Sequence, residues 1–104
     1  SWTIQGYPYF LGSAAYRQII TIPETMRYRR FFLKFESVAD AIEIRINGNS
    51  VRMLSSPPWE IEVTEAVQFG KNRFEFVVSN SRPNEMALSP GPSGLLGPVV
   101  LEAR

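Results

Sequence analysis

The chain has 104 residues, 44% of them hydrophobic and 20% charged, with a formal net charge of +1 at pH 7. These values predict one globular domain, residues 1–104, with a single hydrophobic core. A membrane-spanning helix is excluded because no apolar run approaches the roughly 20 residues that a bilayer requires. The first residue is Ser rather than Met and no signal-peptide pattern follows it, so we expect a processed or excised piece of a longer protein.

Residue types that the chain lacks narrow its chemistry. The sequence contains neither cysteine nor histidine. This excludes disulfides, cysteine-rich zinc sites, cysteine nucleophiles and every histidine-dependent triad. Eleven basic residues against ten acidic ones give no basic excess of the kind that nucleic-acid-binding domains show. One basic cluster, residues 26–30, falls just before a predicted strand, and we interpret it as a solvated connection.

Alternating apolar and polar residues predict strands along most of the chain. Residues 16–22 place their apolar side chains on one face, and Pro23 ends this strand because proline has no N–H to donate. Residues 31–36 alternate in the same way, with their large apolar side chains pointing to one side. Phe32 breaks that alternation, so we expect another domain to cover it.

A hairpin is predicted around Asn47-Gly48, a dipeptide that favours the two-residue type I′ turn. The turn predicts a register that places four apolar side chains on one face and an ion pair on the other. The predicted pairs are Ile46 with Asn49, Ile44 with Val51, Ile42 with Met53 and Glu43 with Arg52.

Residues 59–63 form the next predicted strand, with Trp59 in the apolar phase and therefore mainly a core residue. Thr64 then has the position of a cap for a single helical turn over residues 64–69. Gly70 follows that turn, where a left-handed backbone favours glycine.

The last third of the chain predicts two strands separated by a long loop. Residues 72–79 alternate again, residues 79–94 are rich in Ser, Asn, Pro and Gly, and a final strand runs from Val99. Long irregular loops in compact domains are often functional. About eight short strands and almost no helix predict an all-β fold, an antiparallel β-sandwich.

Several short motifs follow one another in a characteristic order. They are Gly12–Tyr16, Phe35–Val38, Asn47-Gly48 before Val51, Glu62-Val63-Thr64, Gly70-Lys71-Asn72 and Gly94–Leu101. Their order resembles the sugar-binding domain of family 2 and β-galactosidase-like glycoside hydrolases, a jelly-roll sandwich of the galactose-binding type. Residues 6–16 also resemble accessory modules of bacterial rhamnosidase-type glycoside hydrolases. The last motif lacks the aromatic residue and the arginine that are usual in family 2.

The resemblance implies a non-catalytic module of a larger bacterial glycoside hydrolase, extracellular or periplasmic. Such a module supports the catalytic domain of the same polypeptide and can contact carbohydrate. Two alternatives remain open, namely an independent carbohydrate-binding module and a protein-interaction domain unrelated to sugars, with Phe32 and residues 86–88 as its contact surface. We expect no catalysis by the chain alone, and no nucleic-acid or membrane partner.

The chain offers no obvious catalytic pair. A glycosidase needs two carboxyl groups flanking the scissile bond, whereas six of the glutamates lie on the polar phase of predicted strands. Glu85 is the one carboxyl group in the long loop, and the resemblance implies that residues 80–85 can reach the substrate of a neighbouring catalytic domain.

Aromatic side chains are the other candidates, because their faces stack on the apolar C–H faces of sugar rings. The candidate carbohydrate-binding residues are Tyr7, Tyr9, Trp59, Asn80, Arg82, Asn84 and Glu85. Tyr7 and Tyr9 fit equally well as packing beneath the N-terminal segment or as an exposed platform. No cofactor or metal site is predicted, although sandwiches of this type can hold a structural calcium ion through backbone oxygens.

Overall fold

A computed structural model describes residues 2–38, 40–79 and 95–104. In these segments the chain forms nine strands and one short 3-10 helix, Glu24–Met26. The strands are β1 (Trp2–Gly6), β2 (Tyr9–Gly12), β3 (Ala15–Ile22), β4 (Phe31–Val38), β5 (Ala41–Ile46), β6 (Asn49–Leu54), β7 (Glu60–Glu62), β8 (Gly70–Ser79) and β9 (Leu95–Ala103). The described part of the chain has no helix long and apolar enough to cross a membrane.

The strands build two antiparallel sheets packed face to face. One sheet has the order β1-β9-β4-β7 and the other the order β2-β3-β8-β5-β6. β1 and β2 are therefore edge strands on one side, and β7 and β6 are edge strands of their sheets on the other. The predicted all-β sandwich is confirmed.

The core lies between the sheets and is filled by the apolar phase of the strands. The predicted inward faces are buried: Tyr16, Ile20 and Ile22; Phe31, Leu33 and Phe35; Phe74, Phe76 and Val78; Val99, Leu101 and Ala103. Phe35 of one sheet meets Phe76 of the other edge to face, with ring centroids 5.1 Å apart. Such aromatic contacts stabilise a core beyond the area that they bury.

The hairpin turn forms at Asn47-Gly48 as predicted, with φ of 53° and 86° at its two central residues. Its register, however, shifts within the strands. The observed pairs are Ile46 with Asn49, Arg45 with Ser50, Ile44 with Arg52, Glu43 with Met53 and Ile42 with Leu54. Only the first pair agrees with the prediction, because a turn sets the pairs beside it but not those beyond a bulge.

Val51 is the extra residue of this bulge, and it changes which side of β6 faces the core. Val51 and Leu54 are half-buried and pack against the core. Met53, which was predicted to face inward, is 57% exposed.

The predicted ion pair between Glu43 and Arg52 is also wrong. Glu43 Oε2 instead accepts a hydrogen bond from Arg45 Nε on the same strand, at 2.9 Å. The Ser50 hydroxyl donates to the same oxygen at 3.4 Å. The bulge removes the register that would have placed Arg52 beside the carboxylate.

The predicted helical turn after β7 is replaced by a tight turn, in which Ala66 N donates to Val63 O at 2.9 Å. Thr64 does not cap a helix. Its Oγ1 accepts a hydrogen bond from Phe31 N at 2.9 Å, which ties the β7–β8 connection to the start of β4. Gly70 has φ of +86°, as expected of a glycine at this position.

Phe32 is buried by the chain itself. Its exposed fraction is 8% although it lies on the outer face of the four-stranded sheet. The guanidinium carbon of Arg104 lies 4.0 Å from the ring centroid and that of Arg30 lies 5.3 Å away. The cover that we expected from another domain is supplied by these two side chains.

The last strand was predicted to begin at Val99, but β9 begins at Leu95. Leu95 and Leu96 already pair with Val38 and Ser37 of β4, so the chain enters the sheet before Gly97. The pairing with β4 shifts between Phe35 and Ser37, so Gly97 lies at a bulge beside Glu36. Gly97 has φ of +84°, and a Cβ there would lie 2.7 Å from Glu36 Cδ. Glycine is therefore required by both the backbone and the space.

Candidate functional site

Two of the predicted aromatic residues, Tyr7 and Tyr9, are exposed at one side of the sandwich, and we refer to them as the tyrosine platform. Tyr7 lies between β1 and β2, and Tyr9 is the first residue of β2. Their exposed fractions are 76% and 74%. Of the two placements open at the outset, the structure therefore shows the exposed one.

An ion pair lies next to this platform on the outer face of the five-stranded sheet. Tyr9 pairs with Arg17 of β3, which in turn pairs with Glu75 of β8. Arg17 Nη2 lies 2.9 Å from Glu75 Oε2, and Arg73 Nε lies 3.5 Å from the other oxygen. The hydrogen bond from Arg17 lowers the pKa of Glu75 below its ordinary value, so this carboxyl group stays ionised and acts as an acceptor.

Trp59 lies on the opposite side of the molecule. It precedes β7, the other edge strand of the four-stranded sheet, and its carbonyl accepts a hydrogen bond from Phe35 N at 2.9 Å. The side chain is half-buried and packs against the core, as the alternation predicted. The structure therefore does not bring Trp59 together with Tyr7 and Tyr9.

The other four candidates, Asn80, Arg82, Asn84 and Glu85, lie outside the described residues, as does the apolar run 86–88. The strand ends that flank this segment in sequence are Ser79 and Leu95. Both lie at the end of the sandwich where β4 ends and β5 begins, since Ser79 pairs with Ala41 and Leu95 with Val38.

The motif Gly70-Lys71-Asn72 has a structural role. Asn72 is fully buried, and its side chain has four hydrogen bonds. Its Oδ1 accepts from Gln68 N at 2.8 Å and from Asn47 Nδ2 at 3.0 Å. Its Nδ2 donates to Gln68 O at 2.8 Å and to Gly70 O at 3.1 Å. A buried amide with all its bonds satisfied holds loops in place and is not free to bind a ligand.

The motif Glu62-Val63-Thr64 is likewise structural. Thr64 Oγ1 donates to Glu62 Oε2 at 2.8 Å, and Arg30 donates to both carboxylate oxygens through Nε and Nη2. These bonds, first that from Arg30 and then that from Thr64, lower the pKa of Glu62 to about 2. The carboxyl group is therefore ionised at any pH near neutrality.

Other carboxyl groups on the outer face of the four-stranded sheet also face cations. Arg104 Nε donates to Glu102 Oε1 at 2.6 Å, and Lys34 Nζ lies 3.3 Å from the same oxygen. These bonds, chiefly that from Arg104, lower the pKa of Glu102. Glu60 lies 3.7 Å from Lys34 Nζ. A general acid must instead hold its proton near neutral pH.

The structure shows a pocket that the sequence did not predict. It has a volume of about 280 Å³ and lies where β3 ends and β4 begins, the end of the sandwich opposite Ser79 and Leu95. Its lining residues are Ile22, Tyr28, Arg29, Phe31, Thr64, Val67, Gln68 and Phe69. The signal in the sequence was the basic cluster 26–30, in which an aromatic residue lies between arginines, but we interpreted that cluster as a solvated connection.

A metal centre finds no support among residues 2–38, 40–79 and 95–104. No group of three or more acidic side chains there is arranged to hold a metal ion.

The known proteins to which the chain is similar are described as glycoside hydrolases. No family model matches the chain. A curated protein of Formosa agariphila named "Putative beta-glucuronidase" is 31% identical over 91 residues, which are 83% of this chain and 8% of that protein. The chain therefore spans less than a tenth of the length of this relative.

Solved structures show the same fold. A glycosyl hydrolase family 2 member from Bacteroides cellulosilyticus matches 86% of this chain with 12% of its own, at a TM-score of 0.70 and 21% identity. A beta-glucuronidase from an uncultured Clostridium species matches 86% of this chain with 18% of its own length, at a TM-score of 0.67 and 21% sequence identity. A rhamnosidase from Novosphingobium sp. PP1Y matches 85% of this chain with 11% of its own length, at a TM-score of 0.66 and 22% sequence identity. The resemblance inferred from the order of motifs is confirmed.

Proposed function

We propose that this chain, which matches a small part of family 2 glycoside hydrolases, is a non-catalytic accessory module of such an enzyme. It supports a catalytic domain that lies in the same polypeptide, and it contacts carbohydrate through exposed aromatic side chains. The coverage supports this proposal, because 83% of the chain corresponds to only 8% of the length of its curated relative. We further propose, from the resemblance alone, that the parent enzyme works outside the cytoplasm, in the periplasm or beyond the cell.

The state of three carboxyl groups supports the non-catalytic part of the proposal. Glycoside hydrolysis needs one carboxyl group that holds a proton and a second that faces it across the bond. Among the described residues, Glu62, Glu75 and Glu102 are held ionised by hydrogen bonds from arginines. Each of these groups has a structural partner and a pKa shifted away from that of a general acid.

A hydrolysis assay tests this part. We expect residues 1–104, purified alone, to release no nitrophenol from aryl glucuronides, rhamnosides and galactosides. Turnover that a Glu→Gln substitution abolishes would show that the chain is itself an enzyme. The reading frame is a second test, because the proposal requires a catalytic domain encoded in the same frame.

The tyrosine platform carries the carbohydrate part. Tyr7 and Tyr9 are both more than 70% exposed, and exposed tyrosines can stack on sugar rings. NMR titration with mono- and oligosaccharides should give saturable shifts near these residues, and the double variant Tyr7→Ala/Tyr9→Ala should abolish them.

Met53→Ala is the matched control for this titration. Met53 is also an exposed apolar side chain of the five-stranded sheet, but it lies on β6 at the opposite edge. We expect Met53→Ala to leave the shifts unchanged. Wild-type binding that persists in the tyrosine variant would remove the platform from the proposal.

A protein-interaction role unrelated to sugars gains no support from the described residues. Phe32 was one part of its candidate contact surface, and that ring is already covered by Arg104 and Arg30. The other part, residues 86–88, lies outside the described residues. The exposed tyrosines instead favour an independent carbohydrate-binding module as the second candidate. Sugar binding by a chain whose reading frame encodes no catalytic domain would favour this second candidate.

A further inference from the structure

We propose that the pocket between Tyr28 and Phe69 binds a single carboxylated sugar ring, either a free uronic acid or one residue of an acidic polysaccharide. The pocket lies at the end of the sandwich opposite Ser79 and Leu95. Neither Tyr7 nor Tyr9 lines it, so it is separate from the tyrosine platform. The inference goes beyond the proposed function, since a module can support a catalytic domain without this site.

The pocket combines an apolar base with an aromatic rim. Ile22 and Phe31 are buried and form the base. Tyr28 is 94% exposed and Phe69 is 44% exposed, which leaves two aromatic side chains beside the opening. Aromatic side chains offer apolar faces to the C–H faces of a sugar ring, and polar groups around them give orientation.

Arg29 supplies the charge that selects an acidic ring. Its neighbours on the chain are already engaged, because Arg27 pairs with Glu24 and Arg30 pairs with Glu62. Arg29 makes no ion pair with any residue that the structure describes. A guanidinium group binds a carboxylate through two parallel hydrogen bonds, so this side chain fits the carboxyl group of a uronic acid.

The ring of Phe69, the second aromatic side chain of the rim, is held in place by Arg27. The guanidinium carbon of Arg27 lies 5.6 Å from the centroid of the Phe69 ring, a cation–π distance. This contact connects the two segments that form the rim, namely residues 24–29 and 67–69. The ion pair between Arg27 and Glu24 lies within the first of these segments and holds the Arg27 side chain there. The pocket therefore has a defined wall on each side.

The backbone of Tyr28 gives an independent indication. Its φ is +70°, a left-handed conformation that is uncommon for any residue except glycine and unfavourable for an aromatic one. Strained residues of this kind cluster at ligand sites, where function retains them.

The size of the pocket limits the ligand. Ligand pockets generally range from about 300 to 1,000 Å³, and this pocket has about 280 Å³. It fits one sugar ring and is too small for an oligosaccharide. A longer glycan would have to present a single residue to it.

NMR titration of the full chain with D-glucuronate and D-galacturonate tests the proposal, with D-glucose, D-galactose and acetate as comparison ligands. We expect saturable shifts at residues 28, 29 and 67–69 with at least one uronate. Neutral sugars and acetate should bind about tenfold more weakly, because each lacks either the charge-assisted hydrogen bonds or the stacking. Equal binding of neutral sugars or of acetate would overturn the proposal, as would the absence of shifts with both uronates.

Three variants connect binding to the named side chains. Arg29→Gln should weaken uronate binding about tenfold and leave neutral sugars unaffected. Tyr28→Gly should also weaken uronate binding about tenfold, while it stabilises the fold because glycine tolerates the positive φ. Arg52→Gln removes an exposed arginine of β6 and should change nothing. Wild-type affinity in either Arg29→Gln or Tyr28→Gly would overturn the proposal.

Discussion

Asn47 Nδ2 donates a hydrogen bond to Asn72 Oδ1 at 3.0 Å, which joins the β5–β6 turn to the central strand of the five-stranded sheet. The backbone reinforces this contact. Arg73 N donates to Asn47 Oδ1 and Asn47 N donates to Arg73 O, both at 2.9 Å. The turn residue therefore both shapes its own hairpin and fastens it to β8.

Substitution Asn72→Ala should destabilise the chain by about 2–3 kcal/mol, because it leaves several buried backbone and amide groups without partners. Urea unfolding at pH 7 measures this loss. Asn49→Ala is the control, since Asn49 is exposed on β6, and it should change the free energy of unfolding by less than about 0.5 kcal/mol. A loss below about 1 kcal/mol for Asn72→Ala would contradict the structural role given to the motif.

Substitution Gly97→Ala should cost more stability than Gly12→Ala. Both glycines have positive φ, at which an alanine costs about 1–2 kcal/mol. A Cβ at Gly97 also meets Glu36, whereas a Cβ at Gly12 has nothing within 4 Å. In a Glu36→Ala background the difference should shrink but not vanish, as measured by urea unfolding, because the Cβ of residue 36 remains 2.9 Å from the added methyl group. A difference that is unchanged in that background would show that the Glu36 carboxyl end does not contribute to the extra cost.

The stability of the chain should fall in acid partly through Glu62. Its pKa is lowered from 4.5 to about 2 in the folded state by the hydrogen bonds from Arg30 and Thr64. A group with a lowered folded pKa stabilises the fold above its unfolded pKa, and that contribution is lost as pH falls toward the folded value. The loss attributable to Glu62 should therefore occur between about pH 4.5 and pH 2.

The substitution Glu62→Gln tests this window. The variant should be less stable than wild type at pH 7, and the difference should shrink as the pH falls from 5 to 2, as followed by urea midpoints. Glu65→Gln serves as a control, because Glu65 is exposed and makes no ion pair with a described residue. A constant difference for Glu62→Gln across this range would show that its ionisation does not contribute.

Arg104 and Phe32 should be energetically coupled. Their separation of 4.0 Å between guanidinium carbon and ring centroid is well within cation–π range. A double-mutant cycle with Arg104→Gln and Phe32→Leu should give a coupling free energy of about 0.5–1 kcal/mol. Urea unfolding of the four proteins measures it. A coupling of zero would mean that Arg104 covers the ring without stabilising it.

Alternation along the chain was sufficient to predict the two-layer core. The inward faces of β3, β4, β8 and β9 are as predicted, because a period of two leaves an apolar residue on the buried side at every second position. The type I′ turn at Asn47-Gly48 followed from the need for positive φ at both positions. These features depend only on residues close together in sequence.

The errors arose where distant residues meet. Neither the bulge at Val51 nor the arginine cover of Phe32 is visible in the local pattern, since each depends on a neighbouring strand. Thr64 failed to cap a helix because the first residue of β4 takes its oxygen. A propensity describes what a segment can form, and tertiary contacts decide among the options.

The candidate site divides in the same way. Residue types alone excluded histidine and cysteine chemistry and made Tyr7 and Tyr9 candidates for sugar contact, because those inferences need no geometry. Only the tertiary structure separated these tyrosines from Trp59 and assembled a pocket around Arg29 and Tyr28. The pocket is built from a connection and a turn far apart in sequence, and only the packing of the two sheets brings such segments together.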